Sequence, residues 1–292
     1  MRGFLLSSCF LSEMSFKKLL FGTAGLPIST PEPRSTIEGI KRVNSLGLSG
    51  MELEFVHSVF ISKEAAPEIK KLAQEKEVTL TCHGSYYINL NAVERPKMHA
   101  SVSRVIACAK RAEEAGAVSM TFHAGFYLKD SPVKTFTNIK KCFEEITDKL
   151  KASNNKITIR PETTGKGKQF GSIEELYSLS SQLDNVLPCI DFSHLHARSG
   201  GKYNTYTEFR KVLEDGEKAL GKGFLKNLHC HVSGIAYSEK GEQNHLFLKE
   251  SDFNYKDLLK ALKDMNCAGI VVCESPNIEE DALLMKKIFE EL

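Results

Sequence analysis

Six apolar runs in this 292-residue chain close on, or contain, a residue able to bind a metal ion. His83 follows Thr79-Leu80-Thr81-Cys82, His123 follows Val118-Ser119-Met120-Thr121-Phe122, and His231 stands in Leu228-His229-Cys230-His231-Val232. Glu162, Asp191 and Glu274 end three other runs in the same way. A lone buried carboxylate or imidazole is costly. Several together are tolerated when cations bind them. Imidazole with carboxylate suits zinc, manganese or iron, and the absence of clustered cysteines argues against a structural thiolate site. These donors outnumber the needs of one tetrahedral ion, which predicts two or more ions with a carboxylate bridging them.

The remaining histidines are weighed by position. His194 and His231 are taken over their near neighbours His196 and His229, because side chains alternate along an extended chain and only part of each pair is expected at the pocket. His57 and His99 are expected at the surface or against helices, and spacing alone decides nothing for His245. The eight cysteines form no Cys-x-x-Cys pair and are expected to be buried reduced thiols of a cytoplasmic protein.

Metal donors far apart in sequence meet only if a fold brings strand ends together. From Lys17 onward, short apolar runs alternate with segments of helical periodicity. The runs predict eight strands, at Leu19–Ala24, Gly50–Phe55, Val78–His83, Val118–His123, Lys156–Glu162, Val186–Asp191, Asn227–Val232 and Gly269–Glu274. Helices are expected between them at Ser35–Leu46, Glu64–Lys76, Pro96–Ala115, Pro132–Ala152, Ser172–Gln182, Tyr206–Leu220, Tyr255–Met265 and Ile278–Leu292. This order predicts an α/β fold, a single (β/α)8 TIM barrel over residues 15–292, whose strand C-termini share one face. The turn after the first strand, Gly22-Thr23-Ala24-Gly25-Leu26, lacks the glycine pattern of an open dinucleotide-binding sheet, and no phosphate-binding P-loop occurs. Irregular stretches at 165–171, 194–206 and 233–252 fall where functional loops of a barrel belong. Residues 1–14 are expected to be a disordered extension, with Met14 as the candidate true start. No apolar run approaches the length that spans a bilayer, so no membrane partner is expected. The net charge of +2 neither demands nor excludes nucleic acid.

At these residues the sequence resembles the endonuclease IV family of abasic-site endonucleases, within the xylose-isomerase-like TIM barrels. The likeness lies in Cys82-His83-Gly84-Ser85-Tyr86-Tyr87-Ile88-Asn89-Leu90, Phe122-His123-Ala124-Gly125, Pro161-Glu162-Thr163-Thr164-Gly165-Lys166-Gly167, Asp191-Phe192-Ser193-His194, His231 and Glu274-Ser275-Pro276. The resemblance implies two to three zinc ions, with manganese as an alternative. His83 and His123 would hold one, Asp191, His231 and Glu274 a second, and His194 with His245 a third. Glu162 would bridge the first two and is the residue on which turnover should depend. The implied reaction is hydrolysis of the phosphodiester 5′ to an abasic site in double-stranded DNA, by a cytoplasmic monomer. The chain departs from the family twice. Gln243 stands where the family's third zinc takes an Asp, with Glu242 beside it, and the loop after the second strand, Glu54-Phe55-Val56-His57-Ser58, lacks an Asn-Gln-Arg type motif.

On the nuclease reading, Lys166, Lys168, Arg198 and Lys202 would contact phosphates, and Tyr86 and Tyr87 would stack or wedge where the abasic nucleotide is displaced. The competing reading is a metal-dependent sugar isomerase or epimerase on the same barrel, with Glu52 and Glu54 facing sugar hydroxyls. A third is a metal-bearing scaffold without turnover.

Overall fold

Residues 15–292 are described by a computed structural model. The extension expected over 1–14, with Cys9, lies outside the described residues. Eight parallel strands form the inner wall: β1 (Leu19–Ala24), β2 (Gly50–Glu54), β3 (Thr79–His83), β4 (Ala117–Phe122), β6 (Thr158–Pro161), β8 (Ile190–Asp191), β9 (Leu228–Val232) and β12 (Gly269–Cys273). Their order is β6-β4-β3-β2-β1-β12-β9-β8. Parallel bridges Ile159↔Val186 and Glu162↔Cys189 join the two ends and close the barrel. The (β/α)8 TIM barrel read from the strand–helix alternation is the fold observed.

Each strand sorts its side chains by the two-residue period of extended chain. On β2, Met51 and Leu53 belong to the apolar core, and the Met51 sulfur lies by Gly39. Glu52, between them, meets residues of β3 and β9 across the barrel interior. Helices α1 (Thr36–Ser45), α2 (Ala66–Glu75), α3 (Arg95–Glu114), α4 (Pro132–Ala152), α5 (Ile173–Ser180), α7 (Tyr206–Leu220), α8 (Tyr255–Asp264) and α9 (Glu279–Glu291) occupy the expected segments. Their starts are written locally. The Ser35 side chain accepts from the Glu38 amide, and Ser172 with Glu175 and Thr205 with Glu208 form capping boxes.

Two of the stretches expected to be irregular are ordered. Phe192–Arg198 is a short helix, α6, whose N-cap is Asp191; its carboxylate accepts from the His194 amide at 2.7 Å. Seven residues give too little periodicity to stand out from a loop. The 233–252 stretch contains a hairpin of β10 (Gly234–Ser238) and β11 (Gly241–Leu246), whose second strand is polar from Glu242 to His245 and so carries no apolar run. A small pairing of β5 (Gly125–Phe126) with β7 (Gln169–Phe170) ties the 165–171 stretch down. Among the described residues no helix is long and apolar enough to cross a membrane.

Candidate metal centre

Parallel pairing brings β3, β4, β6, β8, β9 and β12 out on one face, and their terminal residues converge there. Glu162, buried just past β6, lies at the middle. Its Oε2 is 3.2 Å from His83 Nε2 and 3.3 Å from His123 Nε2, while its Oε1 is 3.2 Å from His231 Nδ1 and 3.6 Å from His194 Nδ1. One carboxylate thus turns an oxygen to each of two imidazole clusters, as a bridging ligand must. His231 Nδ1 is also 3.3 Å from Glu274 Oε1, and His194 Nδ1 is 3.1 Å from Asp191 Oδ2.

Ligand-type atoms within 4.8 Å of one another fall into three groups on this face: His83, His123 and Glu162; Glu162, Asp191, His231 and Glu274; Asp191, His194 and His245. Glu162 and Asp191 each belong to two. The eight residues expected to hold metal are therefore brought together, and no ninth sequence-predicted donor is left outside.

Backbone carbonyls aim the rings. His83 Nδ1 lies 2.8 Å from Gly84 O, His194 Nδ1 3.0 Å from Thr163 O, and His245 Nδ1 3.1 Å from Glu274 O. A carbonyl only accepts, so each Nδ1 carries a proton and Nε2 is the nitrogen each ring turns to a cation. His231 is oriented the other way, with Nε2 2.9 Å from Glu52 Oε1 and Nδ1 at the cluster.

The donor set fits cations. Asp191 Oδ2 and Glu274 Oε2 are buried without a hydrogen-bond partner. Burial, with the Glu162 charge, pushes the Asp191 carboxyl up to about 6. Burial and Glu52 push Glu54 up to about 8, and burial raises Glu274. Burial works against the charged His83, but its bond to Glu162 wins and lifts it to about 10. Glu162 is held well below the usual range: burial opposes its charge, and His123 and His231 outweigh burial. Burial lowers His194 to about 4, leaving it neutral. Carboxylates that crowd one another and imidazoles that aim Nε2 or Nδ1 at them suit zinc, manganese or iron.

Beneath this face lies a second polar layer. Glu52 is fully buried; Thr81 donates to its Oε2 at 2.7 Å, and His229 Nε2 lies 3.0 Å from the same oxygen. The imidazole contacts of Glu52 are close but not aligned as straight hydrogen bonds. Ser119 Oγ is 3.0 Å from His229 Nδ1. This corrects the expectation that only one of His229 and His231 faces the barrel interior, while His231 remains the one at the upper cluster. Residues two apart in a strand share a face, so both point inward, at different depths. His194 and His196 separate for another reason. They sit on a helix, about 200° apart around its axis, and His196 turns away to Lys202 O and Asp252. A second polar residue an even number of positions before a strand-end ligand is the signal for the deep layer: Thr81 stands two before His83, His229 two before His231 and Ser119 four before His123, while Glu52 stands two before Glu54.

At the rim, Tyr86 and Tyr87 are 63% and 60% exposed. Tyr86 packs against His83 at 5.7 Å and His57 at 5.9 Å between ring centroids, so His57, though exposed, joins the aromatic rim. His99 is exposed. Lys168 is exposed and Lys166 half-buried. Arg198 is not free on the surface: its Nη1 donates to Thr164 Oγ1 and to the carbonyls of Lys166 and Gln169, pinning the loop that bears both lysines. The seven described cysteines are all buried free thiols.

A profile of the xylose isomerase-like TIM barrel family matches residues 40–290. An uncharacterized protein of Methanocaldococcus jannaschii, MJ0133, is 46% identical over 274 residues, covering 94% of this chain and 98% of that one. Apurinic-apyrimidinic endonuclease 1 of Plasmodium berghei is 25% identical over 274 residues; the match takes in 86% of this chain but 51% of that longer protein. Among solved structures, endonuclease IV of Thermus thermophilus superposes with a TM-score of 0.70 at 18% identity, over 92% of this chain and 100% of that one. A D-tagatose 3-epimerase-like protein gives 0.69 at 18% identity, over 93% and 96%. Two such different proteins at equal likeness establish the barrel and leave the chemistry to the site.

Proposed function

Since the chain belongs to the xylose isomerase-like TIM barrel family, we propose that it is a multi-metal phosphodiesterase that incises double-stranded DNA on the 5′ side of abasic sites. The observation that carries this is the sharing of Glu162 and Asp191 among three donor groups, which provides for more than one ion within reach of a single phosphate. His83, His123 and Glu162 would hold one zinc, Glu162, Asp191, His231 and Glu274 a second, and His194 and His245 a third, with manganese as the alternative metal. When bound, such ions supply positive charge to the attacked phosphate and acidify a water.

The chain's own residues do the rest. Glu162 spaces the two clusters, since its oxygens diverge toward them. The carbonyls of Gly84, Thr163 and Glu274 keep three imidazoles in the ligating tautomer. Tyr86, on the open rim, fills the space left by a displaced abasic nucleotide, with Tyr87 beside it. Lys166 and Lys168 meet backbone phosphates, and Arg198 serves them by holding their loop. Free thiols suit a reducing compartment, and we assign the reaction to the cytoplasm and to a monomer.

The sugar isomerase alternative needs Glu52 and Glu54 at a substrate. Glu52 is sealed beneath His231, which removes half of that pair. The deciding experiment sets zinc-loaded protein against a duplex bearing one synthetic abasic site, with ketoses and aldoses in parallel. Incision 5′ to the site is expected, and its absence across low and moderate salt would end the nuclease reading. Elemental analysis should find at least two transition-metal equivalents per chain, reduced in Asp191→Ala.

A further inference from the structure

The β10–β11 hairpin is not a regular ladder. Ile235 pairs with His245 and Ala236 with Asn244, but Tyr237 pairs with Glu242 and Ser238 with Gly241. One step on β10 answers to two on β11, so Gln243 is the extra residue of a β-bulge. In a regular strand Gln243 would share His245's face, because side chains repeat every two residues. The bulge resets that count. Gln243 is exposed, and the partly buried Glu242 turns toward the barrel mouth, its Oε2 3.5 Å from His194 Nε2.

The hairpin tip is held in this position. The Glu242 amide donates to Gly165 O at 2.9 Å. A side chain on Gly165 would run into Glu242 and His194, so only glycine admits the carboxylate there. Gly241, at φ +92, lies against the same loop with no room for a Cβ. Lys166 Nζ stands 3.9 Å from Glu242 Oε2, too far to saturate it. His194 Nε2 is the nitrogen left free by the Thr163 carbonyl. Glu242 therefore aims an incompletely neutralised carboxylate at an aimed lone pair, next to the Asp191–His194–His245 group.

We propose that Glu242, delivered by the bulge at Gln243, is a metal ligand alongside His194 and His245, so that the outermost ion has a carboxylate donor that Gln243 does not provide. The proposal deepens the multi-metal reading and rests on it. A carboxylate on this ion also gives Lys166 a place, as the group that shares the carboxylate's charge when the ion is absent.

The test is metal content and competitive chelator titration of the full chain with zinc. Wild type is expected to hold three equivalents, one for each donor group. Glu242→Gln should release one equivalent at a chelator concentration about tenfold or more below wild type, and Gly165→Ala, which displaces the carboxylate, should do the same. Gln243→Asp should leave the titration unchanged, because that side chain faces solvent. Glu242→Asp retains the charge with a shorter reach and should fall between, which keeps the test open should either other variant fold poorly. Three equivalents held by Glu242→Gln with wild-type affinity would overturn the proposal and leave the rest of the cluster intact. Tightening of one equivalent by Gln243→Asp would also overturn it. Fewer than two equivalents in wild type would instead strike the multi-metal reading beneath it.

Discussion

The two polar layers on the barrel axis are made of the same residue types and behave as opposites. In the deep layer Glu52 is met by the Thr81 hydroxyl and two imidazoles, and His229, pushed down to about 4 by burial, is a neutral ring that gives one nitrogen to Glu52 and takes a bond from Ser119. Glu52 stays ionised: burial opposes its charge, and His231 and His229 outweigh burial. In the upper layer the carboxylates face one another, and Asp191 and Glu54 are driven up to about 6 and about 8, with burial the leading cause in each. A polar cluster with its partners built in holds the barrel together. One whose groups repel each other, on the open face, suits cations. His231 belongs to both, with one nitrogen in each layer.

The sharpest way to break this contrast is to alter one carboxylate in each layer. Glu162→Gln should cut kcat by several orders of magnitude because it removes the bridge, and the protein should still fold, because the apolar flank of β6, Ile157 and Ile159, stays. Near-normal turnover would refute the bridging role. Glu52→Ala should do the reverse. Removing one partner of a buried charge pair costs about 3–5 kcal/mol, read as a fall in melting temperature. Zinc affinity should drop by about 10–100-fold because His231 loses its outer support. A variant as stable as wild type would show that the deep layer is not structural.

Much of this was legible because a parallel barrel converts strand ends into neighbours. Once His83, His123, Glu162, Asp191, His231 and Glu274 were seen to end successive strands, their meeting followed from topology alone. The deep layer is hidden in the sequence because strand alternation separates adjacent residues but places His229 and His231, two apart, on one face at different depths. Glu52 faces a substrate only on the competing sugar-enzyme reading, and the sequence does not say how far down the axis it lies. Glu242 is legible as the carboxylate beside Gln243, but the bulge that turns it to the barrel mouth is not, because one extra residue in a strand leaves no mark in composition. Arg198 looked free as a phosphate contact because the carbonyls that claim it lie in a loop about thirty residues away.

Protonation separates the layers by a smaller amount. In metal-free protein His83 keeps its proton up to about 10, against about 6.5 in an unfolded chain. A raised imidazole contributes stability that is full below the unfolded value and is lost as pH rises through the folded one. Metal-free protein should therefore lose melting temperature between about pH 7 and pH 10. Zinc-loaded protein should not, because an ion on Nε2 has already displaced that proton. Binding at about pH 7 should release about one proton from this residue, measured by calorimetry in buffers of different ionisation enthalpy. Identical pH profiles with and without chelator would mean that no ion takes the place of the proton.

The smallest effect belongs to the rim, which neither layer holds. Tyr86 is mostly exposed and meets the cluster at His83, in an edge-type ring contact. Tyr86→Ala should leave zinc content and melting temperature as they are. Its cost should appear in DNA alone, where a stacking aromatic contributes about 1–3 kcal/mol per base, read as weaker binding and slower incision of an abasic duplex. Binding should also weaken steeply with salt, and less steeply once Lys168 is replaced, because each phosphate contact releases counterions. A sugar enzyme would show neither response: its small neutral substrate has no phosphates, and its activity would track Glu54. If Tyr86→Ala and added salt both leave turnover untouched while Glu54→Gln abolishes activity on a sugar, the open layer serves an epimerase, and the aromatic rim is packing for His83 and His57.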